Sequence, residues 1–138
     1  MQVKDVMNPN VEFVDPDMCL TDIATKMRDL DLGALPVEEG DDLIGMITDR
    51  DIAIRVVADG NDPKTTRVSE IMSKDVTWCT DDQDVEDAAH LMESKKVRRL
   101  PVLDEDKKLV GILSLSDISR KASHELSGEV IEAVNPPH

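Results

Sequence analysis

Leu20, Ile23, Ala24, Met27 and Leu30 recur at three- and four-residue spacing, which predicts an amphipathic helix. Val85, Ala88, Ala89 and Met92 predict a second. Asp17 or Thr21, and Asp81 or Asp82, stand where they can cap the two starts. After each helix come a predicted strand (residues 34–38 and 99–103), an acidic turn and a return strand (43–47 and 109–113). The turns are Glu39-Gly40-Asp41-Asp42 and Asp104-Glu105-Asp106-Lys107, so each pair reads as a hairpin. A further helix is predicted to begin at Thr48 and at Ser114. Ahead of the first helices, short segments ending in Met (3–7 and 68–72) lead into brief predicted strands, 11–14 and 76–79. The order is β-α-β-β-α, twice, an α/β (α+β) fold.

The two halves match residue by residue. With a shift of 65, Val3 falls on Val68, Met7 on Met72, Phe13 on Trp78, Met27 on Met92 and Leu35-Pro36-Val37 on Leu100-Pro101-Val102. One extra residue then moves the shift to 66, so that Gly45 meets Gly111, Thr48 meets Ser114 and Asp51-Ile52 meets Asp117-Ile118. The chain therefore reads as repeat one (1–58), a polar, turn-rich linker (59–66), repeat two (67–123) and a partly helical tail (124–138). A single unit of this size leaves an apolar sheet face uncovered, and two units packed together bury both.

Composition narrows the function. Phe13 and Trp78 are the only aromatic residues, so the core is expected to consist of Val, Ile, Leu, Met and Ala. The net charge of -14 disfavours nucleic acid and anionic lipid as partners. No apolar run approaches the ~20 residues that span a bilayer, and residues 1–5 lack the apolar stretch of a signal peptide. A cytoplasmic location is expected, and Cys19 and Cys79 suit a reducing compartment, either as buried thiols or as a pair.

The candidate chemistry lies at Gly45-Met46-Ile47-Thr48-Asp49-Arg50-Asp51 and Gly111-Ile112-Leu113-Ser114-Leu115-Ser116-Asp117. Each places a hydroxyl at the end of a strand and a carboxylate three residues on, at a helix start. There, backbone N–H groups suit a phosphate, and an Asp can accept from two ribose hydroxyls. The same spacing also describes a capping box. An ordinary capping box ends in Glu or Gln, whereas both copies here end in Asp. Lys95-Lys96-Val97-Arg98-Arg99 is the densest basic run. Lys95 and Lys96 suit a helix C-terminus, while Arg98 and Arg99, at a strand entry, are placed to hold a phosphate. Repeat one carries Gly33 and Ala34 there, so the two clefts are not expected to be equivalent. His90, His124, His138 and the cysteines share no metal-ligand spacing. Walker, Gly-x-Gly-x-x-Gly and Gly-x-Ser-x-Gly motifs are absent from the sequence.

These residues resemble the CBS-domain family, whose members occur in tandem pairs. The shared features are Val-x-x-Val/Ile-Met, Leu-Pro-Val and Gly-h-h-Ser/Thr-x-x-Asp (h apolar), each present twice. The resemblance implies two β-α-β-β-α units about a pseudo-twofold axis, with clefts that in many members bind AMP, ATP or S-adenosylmethionine. It implies that Asp51 and Asp117 hold ribose. Thr48, Arg50, Ser114 and Ser116 then line sugar and phosphate, Arg98 and Arg99 meet phosphate, and Val11 and Val76 flank the base. Gly33-Ala34 departs from the basic pattern.

The leading reading is a regulatory, non-enzymatic module that binds an adenosine-containing ligand and forms a homodimer, a disc of four repeats. With no partner domain fused within these residues, its output is expected to go through an unidentified protein or through the dimer. The alternative is a ligand-independent dimerisation or stress-response protein in which the Ser/Thr-x-x-Asp motifs are caps alone. Neither reading requires a metal or an obligatory cofactor.

Overall fold

The computed structural model describes residues 1–121. In chain order the elements are α1 (Val3–Val6), α2 (Leu20–Leu30), β1 (Ala34–Glu39), β2 (Asp42–Thr48), α3 (Asp49–Ile52), a π-helical segment (Ala53–Ala58), α4 (Val68–Ile71), β3 (Cys79–Thr80), α5 (Val85–Lys95), β4 (Arg99–Leu103), β5 (Leu109–Ser114) and α6 (Leu115–Lys121). The expected tail, 124–138, lies outside the described residues.

The chain divides into two compact units, and they are not the two sequence repeats. One contains residues 1–11 together with the described residues from Thr77 onward; the other is Glu12–Val76. The leading segment of repeat one thus belongs with the body of repeat two, and the leading segment of repeat two with the body of repeat one. The stretch 59–66 also lies within the second of these units.

In the Glu12–Val76 unit, β1 and β2 form an antiparallel hairpin that pairs Ala34 with Thr48 and Leu35 with Ile47. Leu20, Ile23 and Met27 of α2 pack with Leu35, Val37 and Ile47, and Val68 and Ile71 of α4 enter the same core. In the other unit, β4 and β5 pair Arg99 with Ser114 and Leu100 with Leu113. The short β3 adds a parallel edge, Cys79 to Val102. Val85, Ala88, Ala89 and Met92 pack beneath, and Val3 and Val6 of α1 are fully buried among them. Both hairpins carry a register shift at the same place, after Val37 and after Val102. Both methionines expected in the core, Met27 and Met92, are buried.

The leading segments dock in the same way in each unit. The Val3 and Lys4 amides donate to the carbonyls of Gln83 and Asp81, and the Val85 amide donates to the Met1 carbonyl. In the other unit the Val68 and Ser69 amides donate to Met18 and Pro16, and the Leu20 amide donates to Thr66. Each body also receives a methionine over its motif glycine. A Cβ on Gly45 would stand 2.5 Å from Met72 Sδ and 3.0 Å from the Ser73 carbonyl; one on Gly111 would fall on Met7 Sδ, 3.1 Å from the Asn8 carbonyl. Glycine is required there by close approach. Backbone bridges Met46–Ser73 and Asn8–Ile112 run alongside.

This docking corrects the expected caps. The cap position of α2 is Cys19, with no side-chain bond; Asp17 and Thr21 do not cap it. The first amides of α2 are instead satisfied by main chain, Leu20 by the Thr66 carbonyl and Thr21 by the Pro63 carbonyl. Asp84, not Asp81 or Asp82, caps α5 by accepting from the Glu86 amide. Ala24 and Leu30 are exposed rather than packed; the stripe that α2 buries is the narrower set Leu20, Ile23 and Met27. The first predicted strand shrinks to a single bridge from Val14 to Val37 in one unit and to Cys79–Thr80 in the other. Val11 and Val76 lie outside it, each in a tight turn in which its amide donates to the carbonyl two residues back.

Cys19 and Cys79 are both free thiols. Cys19 is half-buried; Cys79 is buried in the core, and burial pushes its pKa up to about 12. No helix of the described residues is long and apolar enough to cross a membrane.

Candidate functional site

The Gly-h-h-Ser/Thr-x-x-Asp motifs form the junctions β5–α6 and β2–α3. In the unit holding α6, the Ser114 amide donates to Asp117 Oδ2 (3.0 Å) and the Asp117 amide donates to Ser114 Oγ (3.1 Å). In the other unit the Thr48 amide donates to Asp51 Oδ2 (3.0 Å) and the Asp51 amide to Thr48 Oγ1 (3.1 Å). Both motifs are therefore complete, reciprocal capping boxes, closed by Asp in place of the longer Glu.

The strand register brings the basic pair to this junction. Arg99 stands opposite Ser114, and the Leu115 amide donates to the Arg98 carbonyl (2.9 Å). Arg98, Arg99, Ser114, Leu115, Ser116 and Ser119 line one open cavity of about 320 Å³. Four of the residues expected at a ligand site, Arg98, Arg99, Ser114 and Ser116, are thus brought together. Asp117 lies behind them, with 7% of its side chain exposed. Its Oδ1 accepts from Arg120 Nη2 at 2.7 Å. Ser119 and Arg120 were not among the residues singled out from sequence. The signal for Arg120 was its position three residues after Asp117 on a helix, where an acid and a base meet.

The matching junction in the Glu12–Val76 unit has a different charge pattern. The Asp49 amide donates to the Gly33 carbonyl (2.9 Å), as Leu115 does to Arg98. Asp49 replaces Leu115, Gly33 replaces Arg98 and Ala34 replaces Arg99. A Cβ on Gly33 would stand 3.0 Å from Asp49 Oδ2, so a carboxylate occupies the space beside the strand entry. Arg50 is exposed, and its amide donates to Asp49 Oδ1 (2.8 Å). Asp51 is 17% exposed, with Arg55 Nε 4.0 Å from its Oδ1. The Arg55 guanidinium is held elsewhere, donating from Nη1 to the Ile71 carbonyl (2.8 Å). Val11 belongs to the unit of Asp117 and Val76 to the unit of Asp51; each is half-buried.

Among the described residues, no three His, Cys, Asp or Glu side chains are placed to hold a metal ion.

Comparison with known proteins gives this arrangement a family. The CBS domain model matches residues 3–58 and again 68–124. The chain is 39% identical over 134 residues to the CBS domain-containing protein YhcV of Bacillus subtilis, covering 96% of this chain and 94% of that protein. Its structure is similar to that of Hypoxic Response Protein I with two coordinated zinc ions, at a TM-score of 0.81 and 37% identity, covering 89% of this chain and all of the other. It is also similar to CBSX2 in complex with AMP, at a TM-score of 0.73 and 30% identity, covering 86% and 93% of the two chains. With the paired motif, the mixed helix-and-strand units and these matches in agreement, the chain belongs to the CBS-domain family, as a tandem pair.

Proposed function

We propose that this CBS pair is a regulatory module that takes an adenosine-containing, phosphate-bearing ligand at the cleft of Arg98, Arg99, Ser114 and Ser116. The observation that carries this reading is the cavity of about 320 Å³ in which two guanidinium-bearing residues meet two hydroxyls at one strand–helix junction. That volume is at the lower end of small-ligand sites, which start at about 300 Å³, and suits a mononucleotide. Phosphate is the natural occupant of paired guanidinium groups, and a carboxylate behind the cleft suits ribose hydroxyls. The AMP held by the similar CBSX2 structure supports the ligand class.

In the same reading, the cleft of Thr48, Arg50 and Asp51 takes a less phosphorylated adenosine compound, S-adenosylmethionine included, or none. Asp49 and the missing basic pair disfavour a phosphate there. The module works as a homodimer, a disc of four repeats, and its output goes through that dimer or a protein partner.

A second reading has its own observation. Both Ser/Thr-x-x-Asp motifs are fully used as capping boxes, which is all that a ligand-independent dimerisation or stress protein requires of them. Calorimetric titration of the chain with AMP, ADP, ATP and S-adenosylmethionine separates the two. The nucleotide reading expects sub-millimolar binding that Asp117→Ala removes and Asp51→Ala spares for AMP. No binding by any of the four compounds sinks it in favour of the second reading.

A further inference from the structure

Asp117 is the only charged side chain buried among the described residues, and neither of its oxygens is idle. Oδ2 is used by the capping box and Oδ1 by Arg120, at 2.7 Å. Arg120 itself is 68% exposed, so its guanidinium reaches in from solvent to cover the carboxylate. It stands on the helical face of Ser116, four residues before it, and Ser116 lines the cavity with Ser119, Arg98 and Arg99. The twin carboxylate lacks such a cover. Repeat one carries Ile54 at the position of Arg120, and Arg55 approaches Asp51 only to 4.0 Å while bonded to Ile71.

Resting on the nucleotide reading above, we infer that Arg120 is a specificity-determining residue that makes this cleft prefer phosphorylated adenosine over the bare nucleoside. A ribose that bonds Asp117 Oδ1 must displace the guanidinium. Adenosine offers Arg120 no new partner and bears that loss uncompensated. AMP brings a phosphate to the rim at Ser116, one helical turn before Arg120, where the released guanidinium finds a second anion beside Arg98 and Arg99. The preference then comes from breaking one ion pair and making another, in addition to the attraction of the basic pair.

The test is calorimetric titration of AMP and adenosine into wild type, Arg120→Met and Arg120→Gln, with thermal melts to confirm that the variants fold. Both variants are expected to bind adenosine at least about threefold more tightly than wild type, the scale of a partly exposed ion pair. AMP affinity is expected to stay level or fall. Adenosine affinity unchanged or weakened in both variants overturns the inference. If AMP still binds wild type and is lost in Asp117→Ala, the nucleotide reading survives that failure. If wild type binds neither compound, a gain of adenosine binding in Arg120→Met still supports the cover, and silence of every protein overturns cover and reading together.

Discussion

Gly111→Ala tests which leading segment docks on which body. The added methyl falls on Met7 Sδ and stands 3.1 Å from the Asn8 carbonyl, so both the thioether and a backbone bridge must give way. Overpacking of this kind costs about 1–3 kcal/mol, offset by the ~0.5–1 kcal/mol that alanine gains over glycine in a strand. A net loss of about 1–2 kcal/mol is expected. Met7→Ala alone loses about 2 kcal/mol, at the low end for methionine because the side chain is only half-buried. In the double variant the methyl occupies the space left by the thioether, leaving only the Asn8 carbonyl as a tight neighbour. The double loss therefore falls short of the sum by about 1 kcal/mol or more. Met7→Ala with Gly45→Ala is expected to be additive within ~0.5 kcal/mol, since Gly45 is covered by Met72. Urea unfolding followed by circular dichroism gives each ΔG, provided m is unchanged across the set. Coupling of Met7 to Gly45, or none to Gly111, refutes the exchanged docking.

Two further outcomes follow from single residues. Cys79 keeps its proton in the fold from its ordinary pKa of 9.0 up to about 12. The unfolded chain loses that proton earlier, so stability is complete below pH 9 and falls as pH rises through that window, by on the order of 4 kcal/mol at its top. Comparing wild type with Cys79→Ala across pH 8–11 isolates the slope, and identical profiles exclude it. Lys96 closes α5 in the left-handed region, at φ 56°; Lys96→Gly is expected to raise stability by about 1 kcal/mol in urea unfolding, and a loss contradicts that cap.

The helices, hairpins and duplication were legible because burial imposes a period, and the period was clean: Leu20, Ile23 and Met27 on one helix, Val85, Ala88, Ala89 and Met92 on the other. The meeting of basic residues and hydroxyls at one junction was legible because Arg98 and Arg99 break an acidic pattern at a strand entry. The exchange of leading segments was not. Met7 and Met72 are alike, as are Gly45 and Gly111, so docking on the chain's own repeat and docking on the other satisfy the sequence equally. The α2 cap was hidden for a related cause: the partners of Leu20 and Thr21 are carbonyls at Thr66 and Pro63, and a carbonyl leaves no mark on residue identity. At α5, by contrast, Asp81, Asp82 and Asp84 are chemically alike, and only the helix start selects Asp84. Arg120 carried a spacing signal, but only the fold shows that its partner is a buried carboxylate.

Amide chemical shifts report residue by residue where a phosphate-bearing ligand sits. A ¹⁵N-resolved titration with AMP is predicted to move the amides of Arg98, Arg99 and Ser114 to Ser119, saturably, and to leave Thr48 to Asp51 in place. Shifts centred on Thr48 to Asp51, or none at millimolar AMP, contradict a phosphate site at Arg98 and Arg99.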